Sequence, residues 1–364
     1  MEVEENHPLK DGSDKEDAMA DAATTTVPDA GDSTARKPHP ALSLLGMTCG
    51  LGVILVLMLL VFIMPSLKSG PHDLQVGIVG TSTAADRFET SLATAAPDAY
   101  TSQRFASEQE LRDAIHDRDV IGGFVVDEPG VRTLVAGAGS TAISGSLAST
   151  AQAVGGAFGA EVTVEDVVPL PESDPTGVGI GGLAFPLVFG GIVPVVAFRK
   201  ILPRSDGWYL TGLLVFAAVG GIVVASILTF AFGSIESTFW PVAGSMTLGI
   251  AALALPLAGL QKAFGAKGFT IGAMAMMFLG NPLAGIATTS AWLPSGLGTF
   301  GQILPPGAAG TLVRSAAYFD GAGGLVALST LVTWIVVGLL LYAVGMRRAV
   351  GEEAAERPSV QVTA

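Results

Sequence analysis

Residues 41–64 read ALSLLGMTCGLGVILVLMLLVFIM, a run with no charged side chain. As a helix rising about 1.5 Å per residue, it is long enough to cross the roughly 30 Å hydrocarbon core of a bilayer. A cleavable signal peptide would start near residue 1 and have a shorter apolar core. Here a long polar stretch comes first, so the run reads as an uncleaved signal anchor. Beyond it, residues 70–176 have a soluble composition, and apolar density then returns.

A pass along the chain gives six candidate spans: 42–65, 178–198, 208–233, 239–261, 268–289 and 322–346. The expected fold is an α-helical multi-pass membrane protein. Its six transmembrane helices stand in a 1 + 5 arrangement, with a small α/β domain inserted after the first. The domains follow: an acidic tail (1–40), the first span (41–65), the inserted domain (70–176), a five-helix body (177–346) and a second tail (347–364). Asn281-Pro282 should kink the fifth span or end it early, because proline lacks an amide donor and clashes with the preceding turn.

Orientation follows from Lys and Arg near the span ends. Arg36 and Lys37 precede the first span. Arg199, Lys200 and Arg204 fill the loop after the second, Lys262 and Lys267 follow the fourth, and Arg347 and Arg348 follow the sixth. All of these fall on one side if both termini are cytoplasmic; Lys68 and Arg314 are the near-membrane exceptions. Residues 70–176 are then extracytoplasmic, in a plasma-membrane protein.

Half of the residues are hydrophobic, 14% are charged, and the net charge is −13. Much of the acidity sits in the first tail, from Glu2 to Asp32, where large apolar side chains are scarce. That composition predicts disorder. It also excludes a basic nucleic-acid surface. Cys49 is the sole cysteine, so an intrachain disulfide or a cysteine zinc cluster is impossible. It reads as a buried apolar side chain rather than a lipoprotein anchor, since Gly46-Met47-Thr48 makes a poor processing site.

In the inserted domain, strands are expected at 74–79, 120–126, 131–136 and 162–168, and helices at 83–95, 108–118 and 143–158. Ser107 with Glu110 forms a capping-box pattern. The alternation indicates one small sheet with helices.

Catalytic signatures are missing. Gly177/Gly179/Gly182 and Gly296/Gly298/Gly301 match GxGxxG. The first opens a span and the second lies in an outer loop, so neither has the strand and acidic residue a dinucleotide site needs. No P-loop, HExxH or GxSxG occurs. The histidines are scattered, with His116 on a solvated face. Asp117, Asp119, Asp127 and Glu128 have no spacing that fixes a cation. No enzyme activity, cofactor or metal is expected. No span carries a charge at its middle, which disfavours an ion relay and suits a lipid-like or amphiphilic substrate.

Residues 281–321 are the most punctuated: Asn281-Pro282, Leu293-Pro294, Leu304-Pro305-Pro306-Gly307, then Arg314 to Gly321. The segment is too apolar for a solvated loop and too broken for a span. A re-entrant or interfacial element near 281–310 accommodates such backbone by shielding it with helices. Trp292, Tyr318 and Phe319 suit the headgroup boundary. Asn281, Pro282, Pro305, Pro306, Gly307 and Arg314 are the candidate outer-gate residues. A plug without a role in transport is the other reading.

The 1 + 5 spacing, the Leu74–Gly80 start of the outer domain, its Glu108–Val126 helix and strand, and the Gly280-Asn281-Pro282…Pro305-Pro306-Gly307…Arg314…Tyr318-Phe319 run resemble ABC-2 type exporter permeases. The chain resembles in particular the bacterial phage-infection-protein (YhgE/Pip-like) branch. The resemblance covers most of 40–346. It implies a permease subunit pairing with a second permease, as a homodimer or heterodimer, and with a cytoplasmic ATP-binding subunit. It also implies that Arg199–Trp208, with Arg199, Lys200 and Arg204, contacts that ATPase. One feature departs from the family: Lys37-Pro38-His39-Pro40 is too short and proline-rich for its amphipathic interface helix. A non-transporting scaffold or surface receptor of the same fold is the alternative.

Overall fold

The computed structural model describes residues 40–127, 130–294 and 296–355. The acidic tail and the chain beyond 355 lie outside these, as does Glu128. Helix α1 (Pro40–Lys68) is continuous, and its Ser43–Ile63 stretch is long and apolar enough to cross a membrane. Cys49 is exposed, which corrects the expectation of burial. It lies on a helix apolar on every side, a pattern that takes its cover from lipid or another chain.

The inserted domain contains β1 (Leu74–Gly80), α2 (Ser82–Ala95), β2 (Tyr100–Arg104), α3 (Glu108–His116), β3 (Gly122–Asp127), β4 (Gly130–Val135), α4 (Thr141–Phe158) and β5 (Glu161–Asp166). The sheet order is β2-β1-β3-β4-β5, with β3 and β4 antiparallel and the other neighbours parallel. Strand alternation sorts its side chains to two faces. Val76, Ile78, Phe124 and Val131 pack under α2 and α4, with Phe88 and Phe124 rings 4.8 Å apart. On the other face Val125 and Leu134 meet Leu111 and Ile115 of α3.

Ser107 caps α3, accepting from the Glu110 amide at 3.2 Å, while the Glu110 carboxylate accepts from the Ala106 amide at 3.0 Å. The β2 strand was not expected. Its YTSQR sequence is almost wholly exposed and carries no apolar alternation; pairing with β1 alone makes it a strand.

An ion-pair network braces α3 to the sheet. The Glu108 carboxylate accepts from Arg112 at 2.7 Å and from Arg132, and Arg112 also donates to Glu165 at 2.7 Å. The Arg112 and Arg132 hydrogen bonds hold the Glu108 carboxyl below its ordinary value. A depressed carboxyl stabilises the fold above its unfolded pKa and loses that contribution as pH falls through the folded value. Thermal stability should therefore be level above about pH 5 and fall on further acidification. Glu108→Gln should flatten the acid limb and cost about 1 kcal/mol at neutral pH, small because the partners are part-exposed. An unchanged acid limb in calorimetry would remove Glu108 as its cause.

The helical body contains α5 (Val178–Gly181), α6 (Ala184–Ile201), α7 (Asp206–Ser226), α8 (Phe239–Ala275), α9 (Leu297–Ile303), α10 (Pro305–Tyr318) and α11 (Leu325–Ala355). Single π-turns extend α7 to Ala231 and α8 to Gly280. Among the described residues, five stretches, α1 included, are long and apolar enough to cross a membrane: Ser43–Ile63, Val178–Ile201, Asp206–Ala231, Phe239–Gly280 and Leu325–Gly351.

Phe239–Gly280 contains the expected fourth span and the expected fifth only as far as Gly280; residues 281–289 are not helical. Straight, its 42 residues would reach about 63 Å. It is not straight: Gly265 has φ 67° and ψ −156°, a backbone state open to glycine. A Cβ at Gly272 would lie 2.6 Å from the Leu260 side chain and 3.0 Å from that of Leu257. Such distances require the chain to fold back at Gly265 as a helical hairpin. The second arm stops at Gly280, just before Asn281-Pro282.

The hairpin's first arm is the centre of the body. Its small residues admit α11 closely, Gly259 facing Gly338 and Gly345 facing Lys262, as in membrane helix packing. The buried helix α10 lies against the same arm, with Ala309 beside Gly249.

Candidate functional site

Segment 281–320 forms an in-and-out element. The loop after Gly280 reaches a short 3-10 turn (Ser290–Trp292), where the Gly70 amide donates to the Trp292 carbonyl at 3.1 Å. Helix α9 returns to the middle of the body, where the Trp334 indole donates to the Ile303 carbonyl at 2.8 Å. Helix α10 then leads back out. At 14 residues it is about 21 Å long, short of a bilayer crossing. Glycines make the turn dense: Cβ atoms at Gly301 and Gly298 would lie 1.8 Å from the Leu283 carbonyl and 2.2 Å from the Ser290 carbonyl. Close backbone approach therefore accounts for this GxGxxG match.

The candidate gate residues have distinct roles here. Pro305, Pro306 and Gly307 start α10 and are buried. Pro306 meets Gly280, and Gly307 meets the Gly301 carbonyl. Asn281 and Pro282 begin the loop, and the Asn281 side-chain oxygen is buried without a hydrogen bond among the described residues. Arg314 is 9% exposed and ties α10 to the loop, donating to the Ile286 carbonyl at 2.7 Å and the Thr288 carbonyl at 3.3 Å.

At the opposite end of the body, the basic loop residues separate. Arg199 turns inward and donates to Asp206 at 3.2 Å. Lys262 donates to the same carboxylate at 2.9 Å, and the Tyr342 hydroxyl also donates to it. Tyr209 stacks on Tyr342 with ring centroids 6.0 Å apart, and Arg199 sits 5.3 Å over the Tyr209 ring. Arg348 lies 5.6 Å over Phe264. Asp206 thus joins α6, α7, α8 and α11 at their common end. The sequence reading missed it, because an acid at a span edge gives no hint of a lysine 56 positions away. Lys200 and Arg204 are exposed, as is Trp208 at 69%.

The α/β domain lies at the far end of α7. Ser173 donates to the Gly233 carbonyl at 2.7 Å and the Tyr318 hydroxyl donates to the Ser234 carbonyl at 2.9 Å. Phe319, 1% exposed, completes the α3 face of the sheet. The His116 side chain is 45% exposed, in keeping with a solvated face, at the edge of this junction. It sits 3.8 Å from Asp320, with its ring 6.3 Å from that of Phe319.

A cavity of about 610 Å³ lies between the start of α6 and the end of α7. Its walls are apolar, among them Leu183, Pro186, Val224 and Leu228. Its polar end holds Asp174 and Ser234. Asp174 accepts from the Val178 and Gly179 amides at 2.9 Å. The Ser234 hydroxyl is buried without a hydrogen-bond partner among the described residues. An elongated apolar molecule with one polar end matches this lining.

Among the described residues, no group of three or more His, Cys, Asp or Glu side chains could hold a metal ion. No protein-family model matches the chain, and no curated protein matches it.

Proposed function

We propose that the chain is the permease subunit of an ABC-2 type exporter. A separate cytoplasmic ATPase energises it, and its substrate is lipid-like or amphiphilic. It crosses the membrane six times, the Gly265 hairpin and the irregular loop after Gly280 together making two of the crossings. Both termini and the basic loops face the cytoplasm, and residues 70–176 are extracytoplasmic. Its partners are the ATP-binding subunit, a second permease chain and membrane lipid. The carrying observation is the two-ended body. Arg199, Lys262 and Arg348 gather at one end, and the α/β domain and re-entrant element at the other. The lateral cavity beside α7 supports the substrate class.

Exposed Lys200, Arg204 and Trp208 form the ATPase contact, while Arg199 is occupied with Asp206. Lys200→Ala with Arg204→Ala should abolish co-purification of an ATPase while leaving the melting temperature unchanged. Retained co-purification would refute the coupling loop. Absence of any ATPase from the wild-type preparation would favour the scaffold or receptor reading, which the short Lys37–Pro40 lead also supports.

A further inference from the structure

Resting on the reading that the substrate is lipid-like or amphiphilic, we propose that the cavity beside α7 takes a single-chain amphiphile with an ammonium head. At about 610 Å³, the space falls within the range of pockets that enclose a small organic molecule, about 300–1,000 Å³. Val224, Ile227, Leu228 and Ala231 line it along roughly two turns of α7, and Leu183 and Pro186 line it from the start of α6. Residues Ile227–Ala231 form the π-turn of α7, a helix irregularity frequent at functional sites. This apolar stretch is the place for the chain.

The polar end is the place for the head. Ser234 is fully buried, and its hydroxyl has no hydrogen-bond partner among the described residues. Asp174 is 7% exposed. Gly233 turns the chain into the recess with φ 65°, and the Ser173 hydroxyl fixes its carbonyl. A Cβ at Gly179 would overlap the Ser234 hydroxyl oxygen and lie 2.8 Å from an Asp174 carboxylate oxygen. Both oxygens therefore border one spot, and glycine leaves room for their approach.

Charge decides what the head is. Among the described residues, no Lys, Arg or His lines the cavity, and Asp174 forms no ion pair. Arg314 is engaged with the Ile286 and Thr288 carbonyls. The Val178 and Gly179 amides, which would otherwise attract an anion, are already taken by Asp174. A carboxylate oxygen that accepts one amide keeps further lone pairs. A recessed carboxylate without a counter-cation is costly. An ammonium supplies the missing charge and three N–H donors, enough for Asp174 and Ser234 together. A phosphate or sulfonate head would meet the carboxylate as a like charge.

The full chain in phosphatidylcholine nanodiscs, with no ATPase added, tests this by thermal melting at constant ionic strength. The probes have one chain length and three heads: dodecylamine, dodecanol and dodecanesulfonate. A saturable rise in melting temperature is expected with the amine, a weaker one with the alcohol and none with the sulfonate. Ser234→Ala removes a hydroxyl that bonds nothing in the described chain. It should fold as wild type and weaken the apparent affinity for dodecylamine about tenfold. Asp174→Asn should bring the amine down to the level of the alcohol; if loss of the α5 contacts prevents folding, Ser234→Ala carries the test. Val224→Trp, which fills the chain slot, should abolish the responses to amine and alcohol. Absence of a saturable rise with dodecylamine would overturn the proposal, as would an unchanged dodecylamine titration in Ser234→Ala. Equal rises with amine and alcohol, both lost in Val224→Trp, would overturn the ammonium head and leave the amphiphile cavity standing. The permease reading is decided separately, by ATPase co-purification.

Discussion

Phe319→Ala is expected to split the single melting transition and release the α/β domain at lower temperature. The reason is geometric. One face of the sheet is closed by α2 and α4. The other is closed partly by α3 and, for the rest, by Phe319 from the end of α10. The domain therefore borrows part of its core from the helical body. Removing a buried phenyl ring costs about 3–5 kcal/mol, the lost transfer energy plus the cavity left behind. The Arg118 contact over the ring is lost too. Phe319→Leu should recover most of the loss. A Phe319→Ala variant melting as one unit near the wild-type temperature would show that the domain closes its own core.

Gly301→Val should be the most damaging single change in the 281–320 segment. Any Cβ there would overlap the backbone carbonyl of Leu283 at 1.8 Å, and backbone cannot rotate away as a side chain can. Helix α9 would have to move, and the Gly301 carbonyl packs in turn against Gly307. Overpacking typically costs about 1–3 kcal/mol when side chains can adjust; with backbone on one side, more than that is expected. The readout is the yield of monodisperse protein in mild detergent and its melting temperature. Gly244→Ala, which meets nothing within 4 Å, is the matched control and should behave as wild type. Equal behaviour of the two variants would mean that α9 is not packed against the 281–290 loop.

The apolar helices were readable because lipid imposes a length and composition on each one. The Pro-Gly punctuation of 281–321 marked a segment that is neither one long helix nor a solvated loop, because irregular backbone among apolar residues needs shielding. The α/β alternation was visible wherever strands are buried. It failed at β2, whose Tyr100–Arg104 residues take their conformation from β1 rather than from their own side chains. The Asp206 cluster and the docking of Phe319 join residues far apart in the chain, and local periodicity contains none of that. Arg199 and Lys200 show the limit at its smallest scale. They are adjacent cations on one helix, yet one turns to Asp206 and the other to the surroundings.

Because Cys49 is the chain's sole cysteine, Cys49→Ser gives a silent background for mapping which end faces outward. Ser102 lies exposed on β2 and Ala266 exposed at the hairpin tip. A membrane-impermeant maleimide applied to intact cells should label Ser102→Cys at once and Ala266→Cys only after the membrane is opened. Labelling of Ala266→Cys in intact cells, with Ser102→Cys protected, would contradict the orientation; labelling of both would contradict the crossings.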